Sequence, residues 1–321
     1  MPSSMTHTYF GLDVKNKLPQ NCKNKIDDNL EYFKLFCQGP DPYMFYHFFL
    51  GKQAKEKINI QKTLHQTKTK EFFINIIKTI QKHNLSNNSS VMTYLYGYIC
   101  HYYLDLNTHP IINYQESCFK KIPKYKNKSS IHQEIEYNID LYMIKQREST
   151  LPYKFKVYNH IFNINSFNKE LETIINESME ETYNYKDIAK TYLTCIRYMK
   201  LFFKYINHDP TGIKLKIYQF IDKIKPKNTI RLEELSYHHD FESNLDYLNL
   251  NHSSWHLPWD KTKTYTTSFF DLYEKALTES VKTINTVTEM LETNNINQKE
   301  LDKIFKDISY SGKPYKKKNL L

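Results

Sequence analysis

The feature that most constrains this chain is residues 94–110, YLYGYICHYYLDLNTHP, which place His101, Asp105 and His109 at steps of four. Side chains four residues apart lie on the same face of an α-helix. The helical rise separates the two histidines by ~12 Å along the axis, too far to share one metal ion. The carboxylate between them can reach an ion on either side or bridge two. Gly97, one turn earlier, leaves this face free of side-chain bulk, which we interpret as room for a metal cluster.

The proline at position 110 predicts where this helix ends. Proline disfavours helical backbone geometry at the residue that precedes it. We therefore expect the helix to stop at His109, which then lies where the chain turns.

A second predicted helix carries the same kind of pattern. Residues 130–140, SIHQEIEYNID, place His132 and Glu136 four apart, with Asp140 one turn further. An imidazole and a carboxylate at this spacing are a common way for one helix to present two zinc ligands. A single pair of this kind arises often by chance, and a lone histidine on a helix is usually a surface or core residue. Three such pairings within residues 101–136, two of which share Asp105, favour a metal site.

Three more candidate ligands lie upstream of these helices. His65 opens the segment LHQTKTKEFF, Asp41 lies in the turn GPDPY, and His7 lies near the N-terminus. The chain therefore offers five histidines and three carboxylates from separate segments. Zinc is favoured over magnesium because imidazoles dominate this ligand set.

Composition narrows the class of protein. The chain has 321 residues, of which 40% are hydrophobic, with a net charge of +10 and a mean hydropathy of −0.68. This charge is compatible with a phosphate-bearing substrate, a nucleic acid or an anionic lipid surface. The basic residues are scattered apart from the C-terminal KPYKKKN, so a solvated basic surface is the favoured explanation. Five cysteines without a CxxC motif argue against a disulfide framework. The first residues lack the pattern of a signal peptide, and no apolar run is long enough for a transmembrane segment. We therefore expect a cytoplasmic protein.

The apolar pattern predicts helix almost throughout, because the chain has only six glycines and no alternating runs bounded by turns. We expect an all-α fold, a multi-helix bundle. Residues 1–308 are interpreted as a single domain, with a metal-site half over 1–147, a C-terminal helical half over 154–308, and a basic flexible tail over 309–321. The predicted helices cover residues 25–37, 43–50, 65–83, 89–108, 130–147, 167–181, 185–207, 213–224, 267–294 and 297–308.

Both tryptophans of the chain lie in an aromatic and histidine-rich stretch, residues 237–261. His252, Trp255, His256 and Trp259 have two interpretations: a wall that faces substrate, or a proline-stiffened loop that the tryptophans pack over the bundle. The packed loop is favoured, and the role of these residues stays open.

The ordered set THTYFG, GPDP, LHQTKTKEFF, GYICHYYLDLNTHP and HQEIEYNID resembles the zinc-dependent phospholipase C family. That family includes secreted bacterial enzymes that hydrolyse phosphatidylcholine, and it shares its site architecture with fungal single-strand-specific nucleases. The likeness is specific over residues 1–145. Beyond them it is looser, and NHSSWHLPW with TTSFFDLYEKAL resembles a leaderless cytoplasmic branch of the family. The resemblance implies an all-helical fold that holds three zinc ions in a cleft and cleaves phosphodiesters.

The resemblance also implies a role for each candidate ligand. His65, His101 and Asp105 match the ligands of one zinc ion. His109, His132 and Glu136 match those of a second. His7 and Asp105 match ligands of a third, which makes Asp105 the bridge. Asp41 matches an acidic residue at the cluster that is either a ligand or the catalytic general base.

One departure from the family concerns the N-terminus. In the family the third zinc ion is also held by the free amine and carbonyl of an N-terminal tryptophan, and this chain has none at that place. Methionine before proline is usually excised, which would leave Pro2 as a free secondary amine five residues before His7. We expect the Pro2 amine to complete the third site.

The resemblance therefore predicts a phospholipase C-like phosphodiester hydrolase that uses two or three zinc ions to activate water. A phospholipid headgroup is favoured over nucleic acid as the substrate. Two alternatives stay open: a nuclease or nucleotidase with the same zinc chemistry, and a non-catalytic helical protein that zinc stabilises. The sequence does not indicate the oligomeric state.

Overall fold

The computed structural model describes residues 4–46, 55–123, 131–161, 164–225, 232–238 and 246–315. Over these ranges the chain is mainly helical, with one small two-stranded sheet, so the all-α prediction is confirmed. The helices are α1 (Ser4–Lys17), α2 (Gln20–Asp27), α3 (Leu30–Phe36), α4 (Lys55–Gln66), α5 (Thr69–Lys82), α6 (Ser89–Phe119), α7 (Ile131–Glu148), α8 (Lys169–Tyr183), α9 (Ile188–Phe202), α10 (Ile213–Ile224), α11 (Phe269–Glu292) and α12 (Gln298–Ile304). Among the helices of these ranges, none is long and apolar enough to cross a lipid bilayer.

Shorter elements connect the helices. They comprise 3-10 turns at Asp41–Phe45, Pro152–Lys154, Val157–Asn159 and Glu233–Leu235, and a π-helical turn at Phe203–Asn207 that extends α9. Of the helix predicted over residues 43–50, the last four residues lie outside the described ranges.

The helices belong to two compact units, and the chain passes between them within α1, α6, α9 and α11. The larger unit comprises His7–Asn107, Phe162–Met199 and Tyr273–Leu321, and the smaller unit comprises Met1–Thr6, Thr108–Ile161 and Lys200–Leu272. The assignment of residues 1–308 to one domain stays a prediction.

Helix α5 shows how the larger unit builds its core. Phe72, Phe73, Ile76 and Ile80 are buried and recur at the helical period, so they form one apolar stripe. The ring of Phe73 stacks on Phe305, which directly follows α12, with ring centroids 4.4 Å apart. Burial of each such side chain stabilises the folded state by about 1.5–3 kcal/mol. The packed core thereby holds in place the helices that carry the candidate ligands.

Gly97 of α6 serves helix packing and not the metal site. A Cβ atom at this position would lie 2.5 Å from the Cβ of Phe36 and 2.7 Å from that residue's carbonyl carbon. The glycine therefore lets the C-terminal end of α3 pack directly on the backbone of α6. The interpretation of Gly97 as room for a metal cluster was wrong.

Helix α6 does not end at His109 but continues through Pro110 to Phe119. A proline inside a helix removes one backbone hydrogen bond and costs about 3 kcal/mol. Ile111 and Ile112, on its far side, are buried, and each gains about 1.5–3 kcal/mol from that burial. Burial beyond the proline therefore offsets its cost, and the predicted turn at His109 is wrong.

The aromatic stretch forms a hairpin of β1 (Trp255–Leu257) and β2 (Asp260–Tyr265), where the sequence predicts a loop. Trp255 is buried; its indole N–H donates to the carbonyl of Thr267 at 3.0 Å, and its ring stacks on Tyr265. The interpretation of Trp255 as a packing residue is therefore confirmed.

The first residues of the predicted tail pack instead of fraying. Tyr310 is buried, and its N–H donates to the carbonyl of His65 at 2.9 Å. The hydroxyl of Tyr315 accepts from the N–H of Thr69, also at 2.9 Å. Fraying from Ser309 therefore does not occur over residues 309–315, and residues 316–321 lie outside the described ranges.

Candidate metal centre

The structure collects the described candidate ligands into two groups, one in each unit. The larger unit holds His7, Asp41, His65, His101 and Asp105, which we call the first group. The smaller unit holds His109, His132 and Glu136, which we call the second group. Pro2 lies outside the described residues.

Asp105 is the junction of the first group. One carboxylate oxygen, Oδ1, lies 3.3 Å from Nε2 of His7. The other, Oδ2, lies 3.2 Å from Nε2 of His101 and 3.6 Å from Nε2 of His65. The two oxygens thus face different histidines, which is the arrangement that a carboxylate bridging two ions requires.

Asp41 lies beside His65 and His101, and its Oδ1 is 3.2 Å from Nε2 of His65. The ligand atoms of these three residues all lie within 4.8 Å of one another, as do those of His7, His101 and Asp105. His101 therefore belongs to both combinations. Its ring also stacks on that of His7, with centroids 4.3 Å apart.

Backbone carbonyls fix the two central imidazoles of the first group. Nδ1 of His65 lies 2.8 Å from the carbonyl oxygen of Gln61, and Nδ1 of His101 lies 3.2 Å from that of Cys37. A carbonyl can only accept, so each Nδ1 carries the proton. In the neutral ring Nε2 then presents a lone pair to the carboxylates. Metal-bound histidines are commonly oriented in this way.

Two buried ring nitrogens of the first group have no hydrogen-bond partner among the described residues: Nδ1 of His7 and Nε2 of His101. With the proton of His101 on Nδ1, its Nε2 is an acceptor that faces another acceptor, Oδ2 of Asp105, at 3.2 Å. Two acceptors that face one another inside a protein cost free energy. A tetrahedral zinc ion with bonds of about 2.0–2.1 Å separates its ligand atoms by about 3.3 Å. The separations around Asp105 and His65 match that value, so the residues present fit a zinc ion.

Gly39 provides the space that His101 occupies. Its backbone has φ +50°, and a Cβ atom there would lie 2.4 Å from Cγ of His101. Its carbonyl accepts from the hydroxyl of Tyr192 at 2.9 Å. Gly39 is not among the residues predicted from the sequence, although its position in GPDP, two residues before Asp41, was a signal.

In the metal-free site a proton competes for the same lone pair. Burial opposes a charge on His65, but hydrogen bonding with Asp105 and Asp41 and their negative charge raise its pKa to about 9. Burial lowers the pKa of His7, and the neighbouring His101 lowers it further. Within the first group, His65 is thus the ring whose proton a metal ion must displace.

The second group is smaller and more accessible. Oε1 of Glu136 lies 3.2 Å from Nε2 of His109 and 3.2 Å from Nε2 of His132. The two imidazole rings are stacked. The side chain of His132 is 27% exposed, whereas that of Glu136 is 4% exposed. Three converging ligands with a partly open side are typical of a catalytic zinc site, which keeps one position for water or substrate.

Glu116 supports the second group and was missed in the sequence. Its Oε2 lies 3.4 Å from Nδ1 of His132, on the ring edge opposite Glu136. The interaction with His132 lowers the pKa of Glu116 to about 2. For His132, burial is outweighed by Glu136 and Glu116, which raise its pKa to about 9. Glu116 thus orients the ring, as carboxylates behind zinc-bound histidines do.

Asp140 belongs to neither group, although it continues the pattern of His132 and Glu136. Its carboxylate accepts from the backbone N–H groups of Met5 and Thr6, at 3.1 and 2.7 Å, and from the hydroxyl of Tyr237 at 3.1 Å. It therefore fastens the start of α1 to α7.

Comparison with known proteins gives one match. The family model described as zinc dependent phospholipase C matches residues 6–192, a range that contains every residue of both groups. Searches of curated proteins and of solved structures gave no match.

Proposed function

The chain belongs to the zinc-dependent phospholipase C family, and from that premise we propose that it is a zinc-dependent phosphodiester hydrolase of the phospholipase C type. The substrate that we propose is a phospholipid, cleaved on the glycerol side of its phosphate. Two or three zinc ions are held by the two groups of ligands.

The observation that carries this proposal is Nε2 of His101, a buried acceptor that no described donor satisfies and that faces Oδ2 of Asp105 at 3.2 Å. A fold that needed this imidazole only for packing would pair it with a donor. A divalent cation would satisfy both atoms, and it would also account for the spacing of Asp105 from its histidines.

We assign the ligands as follows. His65, His101 and Asp105 hold one ion, His7 with Asp105 a further one, and His109, His132 and Glu136 hold the ion of the second group. When bound, zinc supplies Lewis acidity and acidifies the water at its open position.

The chain's own residues do the rest of the chemistry. We assign Asp41 as the group that orients the attacking water or takes its proton, because its buried carboxylate lies beside the zinc ligands, with Oδ1 3.2 Å from Nε2 of His65. His65 and His101 cannot serve as the base once Nε2 is engaged, since each Nδ1 is held by a backbone carbonyl. Glu116 keeps His132 in its ligand orientation.

Two substitutions in the zinc-loaded protein test these roles with the water-soluble substrate bis-p-nitrophenyl phosphate. Asp105→Asn should abolish zinc binding by the first group and hydrolysis together, because Asp105 faces histidines on both of its oxygens. Asp41→Asn should keep most of the zinc and lose hydrolysis by about 10²–10⁴-fold, the usual contribution of general base catalysis.

Glu134→Gln is the matched control, since Glu134 is buried on α7 like Glu136 but belongs to neither group. It should retain both zinc and hydrolysis. Equal rates for wild type, Asp105→Asn and Asp41→Asn would refute the proposal. No hydrolysis by the zinc-loaded wild type would favour a non-catalytic protein in which zinc is structural.

A substrate panel separates the lipid from the nucleotide assignment. Phosphatidylcholine and single-stranded DNA are phosphodiesters, nucleoside monophosphates are phosphomonoesters, and all three differ in the group attached to the phosphate. We expect phosphatidylcholine to be hydrolysed fastest. A preference for DNA or nucleotides would assign the same centre to a nuclease or nucleotidase.

A further inference from the structure

Helix α10 exposes large apolar side chains that an ordinary surface helix turns towards the core. Ile213, Ile217, Phe220 and Ile224 are between 50% and 74% exposed. Their spacing of three and four residues places them on one side of the helix, so they form a continuous apolar stripe. We call these four residues the α10 stripe.

Hydrogen bonds anchor the inner side of α10. Asp222 is buried, and its Oδ2 accepts from the N–H of Glu233 at 2.9 Å. The hydroxyl of Tyr218 donates to the carbonyl of Ile206 at 3.1 Å. Asp209, just before the helix, is buried as well and accepts from the N–H of Leu215 at 2.8 Å. Hydrogen bonds thus hold the helix with the stripe facing outward, so its exposure is built into the fold.

The charges beside the stripe have one sign. Lys216 and Lys223 are exposed and lie along one flank of it, and Lys225 caps the helix. Asp222 is the only acidic residue of α10, and it points inward. The exposed surface of the helix is therefore apolar along its centre and cationic at its flank.

The π-helical turn that bonds to α10 exposes an aromatic residue. Tyr205 is 59% exposed and lies in the π-helical turn Phe203–Asn207, whose Ile206 bonds to Tyr218 of α10. The ammonium group of Lys204 lies 5.0 Å from the centroid of the Tyr205 ring. Tyrosine beside lysine is a composition that suits the boundary between lipid headgroups and acyl chains.

We propose that the α10 stripe inserts into the surface of an anionic phospholipid bilayer. The purpose of this contact, which is to deliver a hydrolase to its lipid substrate, rests on the proposed function. Interfacial helices bury an apolar face at the headgroup boundary while lysines contact anionic lipids. A second copy of the chain fits less well. Twelve residues make a helix ~18 Å long and ~10 Å wide, far short of the ~800 Å² per partner of a stable dimer.

Sedimentation with vesicles tests the proposal on the zinc-loaded chain of 321 residues. The vesicles are phosphatidylcholine alone, and phosphatidylcholine mixed with phosphatidylserine. Wild type should bind the mixed vesicles more tightly. Ile217→Ser with Phe220→Ser should weaken that binding by about tenfold or more, because two inserted side chains are lost. Lys216→Glu with Lys223→Glu should weaken it by about tenfold, and only where phosphatidylserine is present.

Two matched double variants control for loss of apolar and basic residues in general. Leu151→Ser with Leu250→Ser removes exposed leucines outside α10. Lys190→Glu with Lys282→Glu reverses exposed lysines on α9 and α11. Both should bind like wild type. Equal loss in these controls and the α10 variants would overturn the proposal. Wild type that binds neither kind of vesicle would also overturn it. So would a stripe variant that binds vesicles like wild type and differs only in being a monomer where wild type is a dimer.

Hydrolysis of bis-p-nitrophenyl phosphate separates this proposal from the proposed function. The α10 variants should keep the wild-type rate on this water-soluble substrate and lose rate only on vesicles. If wild type hydrolyses nothing, the proposed function fails, yet vesicle binding that depends on the stripe would still support the membrane surface.

Discussion

At the scale of single residues, the candidate centre depends on groups that hold the imidazole rings and not only on the ligands themselves. Carbonyl oxygens of Gln61 and Cys37 fix His65 and His101, and Glu116 fixes His132. These contacts decide which ring nitrogen carries the proton, and hence that Nε2 faces the site. A ligand set of this kind is pre-organised, so little ordering is required when a cation binds.

Gly39→Ala should damage the first group without touching a ligand. The new Cβ would overlap the ring of His101, and φ +50° is unfavourable for alanine. We expect the free energy of unfolding to fall by about 2–4 kcal/mol and zinc affinity to fall with it, measured by urea unfolding and zinc titration. Gly312→Ala controls for backbone conformation, because Gly312 has φ 74°. A Gly39→Ala protein with wild-type zinc affinity would show that His101 is not positioned in this way.

At the scale of elements, the sequence identified helices well and their ends poorly. The pairs His101–Asp105 and His132–Glu136 could be predicted because a four-residue step has a fixed meaning on a helix. The C-terminal end of α6 could not be predicted, because the helix beyond Pro110 is stabilised by burial in the folded protein, which local sequence patterns do not reveal. That error also hid Glu116, which lies seven residues after His109 on the same face of the continued helix. The role of Tyr310 beside His65 had no sequence signal at all.

Gly97→Ala should test the close approach of α3 and α6. Its Cβ would lie within 3 Å of backbone and side-chain atoms of Phe36, so the helices would have to separate. We expect a loss of about 1–3 kcal/mol in the free energy of unfolding, measured by urea titration. Ser117→Ala, at an exposed position of the same helix, should change it by less than about 0.5 kcal/mol. A neutral Gly97→Ala would mean that Gly97 is not needed for the packing of α3 on α6.

At the scale of the whole molecule, each of the two units carries its own group of ligands, and the family match spans both. A buried carboxylate costs free energy unless a cation lies beside it. Without metal, the carboxylates of the two groups therefore need protonated histidines as partners. His65 and His132, each with a pKa raised to about 9, supply those protons. Stability, metal content and pH are therefore linked.

The metal-free protein should lose stability as pH rises. The pKa of His65 is raised from 6.5 to about 9, so the folded state binds this proton more tightly than the unfolded state. The stabilisation is complete below about pH 6.5 and is lost as pH rises through about 9. We expect the Tm of chelator-treated protein to fall over this range. Zinc replaces the proton, so the zinc-loaded protein should show no such fall. A Tm independent of pH without metal would contradict the assignment.

The most direct test of the account is the zinc content of purified protein after dialysis, measured by mass spectrometry for four chains: wild type, Asp105→Asn, Glu136→Gln and the control Glu134→Gln. Wild type and Glu134→Gln should hold the same two or three zinc ions. Asp105→Asn should lose the zinc of the first group, and Glu136→Gln should lose that of the second. Equal zinc in all four chains, or none in wild type, would contradict it.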